Sequence, residues 1–166
     1  MTSHSRPNIL WICSDQQRTD TLGCHGNPFT QTPNVDALAA SGVLFHNAFV
    51  QSPICGPSRG SFLTGRYPRT TRYRQNGQNM PHDEVLVTRL LADAGYTCGI
   101  AGKLHLSACH PGVCPDRERR IDDGYSEFHW SQSPGKEPWT QHDYRDWLDQ
   151  RGGHTPRIPH PKSKWV

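Results

Sequence analysis

The chain has little that is apolar. Residues of hydrophobic type make up 33% of it and aromatic ones 9%, a low share for a globular domain. No run approaches the length needed to cross a bilayer, and Met1 to Pro7 contains no apolar core of the kind that directs secretion. No membrane partner is therefore expected, and the sequence reads as that of a cytoplasmic protein. Charge of one sign is equally scarce. The formal net charge is +3 over 166 residues, and the basic residues are dispersed except at Arg117, Arg119 and Arg120. With no long basic run and no interleaved aromatics, that cluster reads as a solvated turn, and no nucleic-acid partner is expected. Paired C-x-x-C motifs are absent too. The six cysteines read as reduced thiols rather than as a disulfide framework. Cys98, His105, Cys109, His110 and Cys114 are dense enough to suggest zinc, but their spacing fits no paired motif. No internal repeat is visible.

What abounds is glycine and proline, 15 and 14 residues, so much of the chain must be turns and loops, the usual carriers of functional side chains. The length suits one domain able to bury a core. Asn8 to Cys13 is a short, nearly continuous apolar run, as expected of a strand buried on both faces of a parallel sheet. It ends in Ser14-Asp15-Gln16-Gln17-Arg18, and polar residues just beyond the carboxyl end of such a strand are where open α/β sheets place ligands. Asp15 is a hard oxygen donor and Gln16 can add a carbonyl oxygen, although a lone aspartate there also suits a turn or a helix cap. Thr32 can cap, Pro33 open and Gly42 close a helix. Val43 to Val50 reads as a second strand in which His46 is structural. Glu84 to Gly95 gathers Val85, Leu86, Leu90, Leu91 and Ala94 on one helical face, with Asp83 as its cap. Tyr96 to Ala101 reads as a strand and Tyr144 to Leu148 as a short helix. Leu106 to Asp123 reads as loop, and Gly152 to Val166 as extended chain.

Cys55 to Arg66 is the stretch with chemistry in it. Pro57 suits a first helical turn and Gly65 the position just past the end. Cys55 would stand at the N-terminus, where free N–H groups and the helix dipole favour an anion and activate a thiol. On residue chemistry alone, an inert cysteine before a helix remains the alternative. At the end of the Tyr96 to Ala101 strand, Lys103 and His105 are two apart, and in extended chain such residues face the same side. Arg69, Arg72, Arg74 and Asn76 lie in a polar stretch near the mouth of such a site, as contacts for a substrate anion or as solvated loop residues.

Cys55-Gly56-Pro57-Ser58-Arg59 with Leu63-Thr64-Gly65-Arg66 resembles the signature of the type I, formylglycine-dependent sulfatases of the alkaline-phosphatase-like superfamily. Pro7-Asn8-Ile9, Asp15-Gln16, Arg18, Asp20-Thr21-Leu22-Gly23, Thr32 to Ala39, Gly102-Lys103-Leu104-His105 and Gly124 to Phe128 resemble further family patterns, in order, over about residues 7 to 130. The resemblance implies an α/β fold, a mostly parallel sheet flanked by helices, incomplete at the C-terminus. It implies that a formylglycine-generating maturation enzyme oxidises Cys55, and that Asp15, Gln16 and the modified Cys55 ligate a divalent metal, Ca²⁺ first and Mg²⁺ or Mn²⁺ next. It further implies that Arg59 and Lys103 stabilise the oxyanion and that His105 assists proton removal. The substrate implied is a sulfate ester, small or carried on a sugar. The family's later portion contains an Asp-His or Asp-Asn pair that Met1 to Val166 lacks. The expectation is half an active site, inactive by itself. Gln16 in place of a second Asp also occurs in relatives that cleave phosphonate monoesters and phosphodiesters. A truncated, non-catalytic or metal-binding fragment is the third reading.

Overall fold

The computed structural model describes residues 6–110, 112–114, 116–133 and 141–153, and its contacts divide the chain into two compact units, Met1–Phe49 and Val50–Val166. In the first unit two short 3-10 turns, Thr19–Thr21 and Gly23–His25, precede helix α1, Pro33–Ser41. Pro33 opens α1 and Gly42 follows it, as the sequence implies. Thr32 does not cap the helix with its side chain. Its hydroxyl instead donates to Asp36 Oδ1 at 3.0 Å and accepts from the Gly23 N–H at 2.9 Å, while Asp36 also accepts from the Cys24 N–H at 2.7 Å. The polar groups at the start of α1 thus tie it to the preceding turn.

The two expected strands of this region are not formed. Residues 8–13 and 43–50 carry no strand, and their apolar side chains other than Leu44 are exposed, Leu10 at 85% and Phe49 at 80%. The physical reason is pairing. An apolar run becomes a buried strand only when neighbours satisfy its backbone on both edges, and among the described residues the only paired strands are two others.

The second unit begins with helix α2, Cys55–Thr64, bounded as the sequence predicts. Gly65 adopts a left-handed φ of 68° and its N–H donates to the Ser61 carbonyl at 2.8 Å, which closes the last turn. Helix α3, Pro68–Thr71, is one turn long, and α4 covers Val87–Asp93. The start of α4 corrects the sequence expectation. Asp83 does not cap it, because its carboxylate is held by Arg72 Nη2 at 2.6 and 2.7 Å, and Glu84 pairs with Arg66 at 2.7 Å. Strands β1, Gly99–Gly102, and β2, Glu127–Trp130, run parallel, with Gly99 opposite Glu127 and Gly102 opposite Trp130. Helix α5, Asp143–Asp149, follows, with the His142 ring accepting the Arg145 N–H at 3.2 Å. This is an α/β arrangement with a parallel sheet. Most of the extended tail expected after Gly152 lies outside the described residues. No described helix is long and apolar enough to cross a membrane.

The core of this unit gathers Leu63 of α2 with Tyr73, Met80, Leu86, Leu104, Leu106 and Ile121, and Phe62, Ile100, Tyr125 and Phe128 pack around them. Most of these residues lie outside regular elements, so the loop from Leu104 onward is itself core. Gly124 shows how closely the segments approach. Its φ is 77°, and a Cβ there would meet the Thr88 carbonyl oxygen at 2.5 Å and Arg89 Cα at 2.6 Å. Gly77 shares a positive φ of 85° but faces open space. Gly124→Ala should therefore cost more than about 3 kcal/mol of unfolding free energy and Gly77→Ala only about 1–2, as read by urea denaturation. Equal losses would contradict the packing described.

Candidate active site

Cys55 is the first residue of α2, preceded by Ile54 in extended conformation. Its thiol is half-buried and is gripped from the side by Asn76. The carboxamide Nδ2 donates to Cys55 Sγ at 3.2 Å, and Oδ1 accepts the Gly56 N–H at 3.0 Å. One carboxamide thus satisfies a free N–H of the first helical turn and fixes the neighbouring sulfur. The sequence left Asn76 among four polar residues near the site, and the structure singles it out. Of the other three, Arg72 is engaged by Asp83, while Arg69 and Arg74 are exposed.

Arg59 lies four positions after Cys55, so both project from one face of α2. Its guanidinium is buried and donates through Nη1 to the main-chain carbonyl of Lys103. This contact joins the two signature segments. Lys103 is half-buried and His105 is 6% exposed. The extended geometry expected of Lys103 to His105 is not what holds them. β1 ends at Gly102, and His105 has a left-handed φ of 59°, so side-chain alternation stops there.

Tyr73 connects the same two segments from below. Its ring lies against the glycine face of α2: a Cβ at Gly60 would sit 3.0 Å from Tyr73 Cδ1, and one at Gly56 would sit 2.4 Å from the Tyr73 oxygen. The phenol donates to the His105 carbonyl at 3.0 Å. Burial, and then the negative charge of Glu118, push its pKa far up, so the hydroxyl keeps the proton it donates.

Glu118 is the residue that sequence reasoning missed. It sits in the loop between β1 and β2 and is 3% exposed. Oε2 accepts the His105 N–H at 2.8 Å and the Trp130 indole N–H at 2.9 Å, while Oε1 accepts the N–H groups of Leu106 and, at 3.0 Å, Ser107. Burial pushes its carboxyl pKa up, and these donors oppose the rise. The signal available in sequence was slight: one glutamate among arginines.

Asp15 and Gln16 belong to the Met1–Phe49 unit, where both are exposed at the end of the 8–13 run. Gln16 has a left-handed φ of 55°. Beyond them Arg18 Nε donates to Asp20 Oδ1 at 2.9 Å. A cleft of about 720 Å³ in this unit, lined among others by Cys24, Thr32 and Asp36, contains none of the candidate residues. His46 meets His25 edge to face, ring centroids 5.6 Å apart. All six cysteines are free thiols, and burial pushes Cys109 far up, toward inertness. Among the described residues, which include Cys98, His105, Cys109, His110 and Cys114, no three His, Cys, Asp or Glu side chains converge on a metal position.

The family model described as Sulfatase matches residues 7–158. The chain belongs to the sulfatase family. Among its curated relatives, the ulvan-active sulfatase of Formosa agariphila is 36% identical over 140 residues, covering 84% of this chain and 27% of that protein. Arylsulfatase A of Bos taurus is 42% identical, covering 70% and 23%. Two solved structures extend the likeness to the backbone. The phosphonate monoester hydrolase of Agrobacterium radiobacter superimposes with a TM-score of 0.66 at 30% identity, over 89% of this chain and 29% of that one. A protein solved in complex with its substrate D-glucosamine-2-N,6-O-disulfate gives 0.64 at 31% identity, over 76% and 23%. The chain thus spans about a quarter of the length of these sulfatase relatives. The α/β fold expected from the sequence agrees with that of these structures.

The Tyr73 bridge carries a direct test. Tyr73→Phe keeps the ring on the glycine face and removes one hydrogen bond to a buried carbonyl, which should cost about 1–3 kcal/mol in denaturant unfolding. A loss within error of zero would show that the bridge does not hold the His105 segment.

Proposed function

We propose that the protein is a sulfuric ester hydrolase whose nucleophile is generated from Cys55. The observation that carries this reading is the joining of Cys55, Arg59 and the Lys103 carbonyl in one unit: the nucleophile position and the cationic signature residues share one place. Formylglycine at this position would supply a hydrated aldehyde: one hydroxyl would bond to the ester sulfur as the alcohol leaves, and loss of the second hydroxyl's proton would then expel sulfate and restore the aldehyde, an exit that a thiol lacks. Asn76 orients residue 55 and holds the N–H of Gly56. Arg59 and Lys103 supply positive charge for the sulfate oxygens, where charge grows during transfer. His105, held at its peptide by Tyr73, accepts and returns a proton near residue 55.

Asp15 and Gln16 are consecutive oxygen donors, one charged and one neutral. That donor set fits a hard divalent cation, with Ca²⁺ favoured and Mg²⁺ or Mn²⁺ acceptable. A cation held there would supply Lewis-acid charge. Conversion of Cys55 calls for a formylglycine-generating enzyme as a partner. A sulfated sugar is the preferred substrate class, supported by the names of the ulvan-active relative and of the glucosamine disulfate complex cited above. One observation favours a second reading, hydrolysis of phosphonate monoesters: Gln16 stands where a second aspartate is usual, and the phosphonate monoester hydrolase structure covers 89% of the chain.

The experiment compares turnover of an aryl sulfate and a phenyl phosphonate ester by the full-length protein, co-expressed with the maturation activity. Turnover of the sulfate should dominate, and Cys55→Ala should reduce it by more than about 1000-fold. Preference for the phosphonate selects the second reading, and undiminished turnover in Cys55→Ala refutes both. In the same protein Asp15→Ala should lower bound divalent metal more than Gln16→Ala does, because it removes the charged donor. Equal metal content in wild type and Asp15→Ala would remove this residue from the metal site.

A further inference from the structure

We infer that Glu118 is a positioning residue that sets the orientation of the His105 peptide, an inference that rests on the hydrolase reading above. Four N–H groups converge on this one carboxylate, and three of them belong to the consecutive residues His105, Leu106 and Ser107. Successive main-chain N–H groups turned toward one anion form a concave nest, and a left-handed residue is what turns them. Here that residue is His105, with φ 59°.

A histidine in that conformation is strained and persists only where its surroundings over-determine it. Glu118 supplies that determination on the N–H side of the residue. Tyr73 holds the carbonyl side, and Arg59 holds the Lys103 carbonyl two residues earlier. The fourth donor, the Trp130 indole at the end of β2, anchors the carboxylate itself to the sheet. The peptide planes around His105 are thus fixed from both faces, and the direction in which its imidazole leaves the chain is fixed with them.

A carboxylate this deeply buried is expensive unless its oxygens are satisfied. An apolar residue at position 118 would fill the space, but it would leave the main-chain N–H groups of His105, Leu106 and Ser107 unsatisfied. Glutamine would also fail, since its carboxamide offers one accepting oxygen and turns an NH₂ toward the remaining donors. Aspartate keeps the charge but withdraws it by one methylene. The segment must then shift toward it or lose bonds.

The test uses the full-length protein with Glu118→Asp, and with Glu118→Gln as the stronger perturbation. Two readings are taken: hydrogen exchange at the His105, Leu106 and Ser107 amides, and kcat per folded, formylglycine-bearing molecule. In Glu118→Asp, exchange at these three amides should accelerate by about tenfold or more while the amides of α2 keep their protection. The kcat should fall by about 100-fold, the usual consequence of an ångström-scale misplacement, with KM changed less than about twofold. Added to His105→Ala, Glu118→Asp should cost little further, because it acts through that residue. Losses that add in full, or unchanged exchange with unchanged kcat, would overturn the inference. So would exchange that rises equally in α2, which marks general destabilisation. If the wild type hydrolyses neither sulfate nor phosphonate esters, the hydrolase reading falls, and amide exchange in Glu118→Asp alone decides whether the carboxylate holds this segment. Should Glu118→Gln fail to fold, Glu118→Asp carries both readings.

Discussion

A tyrosine ring lying on a helix face stripped of side chains is the contact on which the rest of the site depends. Gly56 and Gly60 are one turn apart on α2, and their missing Cβ atoms leave the space that Tyr73 fills. Because the ring fits there, its hydroxyl reaches the His105 carbonyl, and because α2 is pressed against this layer, Arg59 reaches the Lys103 carbonyl. Any side chain at position 56 would collide with Tyr73 or Asn76. The glycine beside the nucleophile is therefore a packing requirement as well as part of a signature.

The electrostatics follow from the same arrangement. Arg59 is a buried cation that donates to the main-chain carbonyl of Lys103. Glu118 is a buried anion whose oxygens are occupied by N–H donors of the signature loop and of Trp130. The outlying charges are handled differently. Arg72, Arg89 and Arg120 are engaged by Asp83, Asp93 and Asp123, and Arg120 also lies over the Phe128 ring at 4.2 Å. The Arg72–Asp83 pair is exposed on both sides and adds little stability, whereas the Asp123 carboxylate is buried.

What the sequence made legible was local. The limits of α2 were written in Pro57 and Gly65 and those of α1 in Pro33 and Gly42, while the β2 strand was expected only from the family resemblance of the stretch that begins at Gly124. What was not legible depends on distant partners. Residues 8–13 and 43–50 have the composition of strands, but pairing decides whether they become strands. Asp83 looks like a helix cap until Arg72, eleven residues earlier, takes its carboxylate. The extended alternation that would make Lys103 and His105 face together is interrupted by a backbone conformation that no side-chain pattern announces. Glu118 was invisible for the same reason, since its role is defined by main-chain N–H groups eleven to thirteen residues away.

The claim at the centre of this account is that Cys55 is a precursor of the nucleophile and not an ordinary thiol. The most direct measurement is the mass of the peptide containing residue 55, isolated from protein made alongside a formylglycine-generating activity, with and without an aldehyde-reactive probe. The account predicts loss of the sulfur, gain of an aldehyde oxygen, and a probe adduct on that peptide alone. An unmodified Cys55 thiol in a preparation that turns over ester would contradict it.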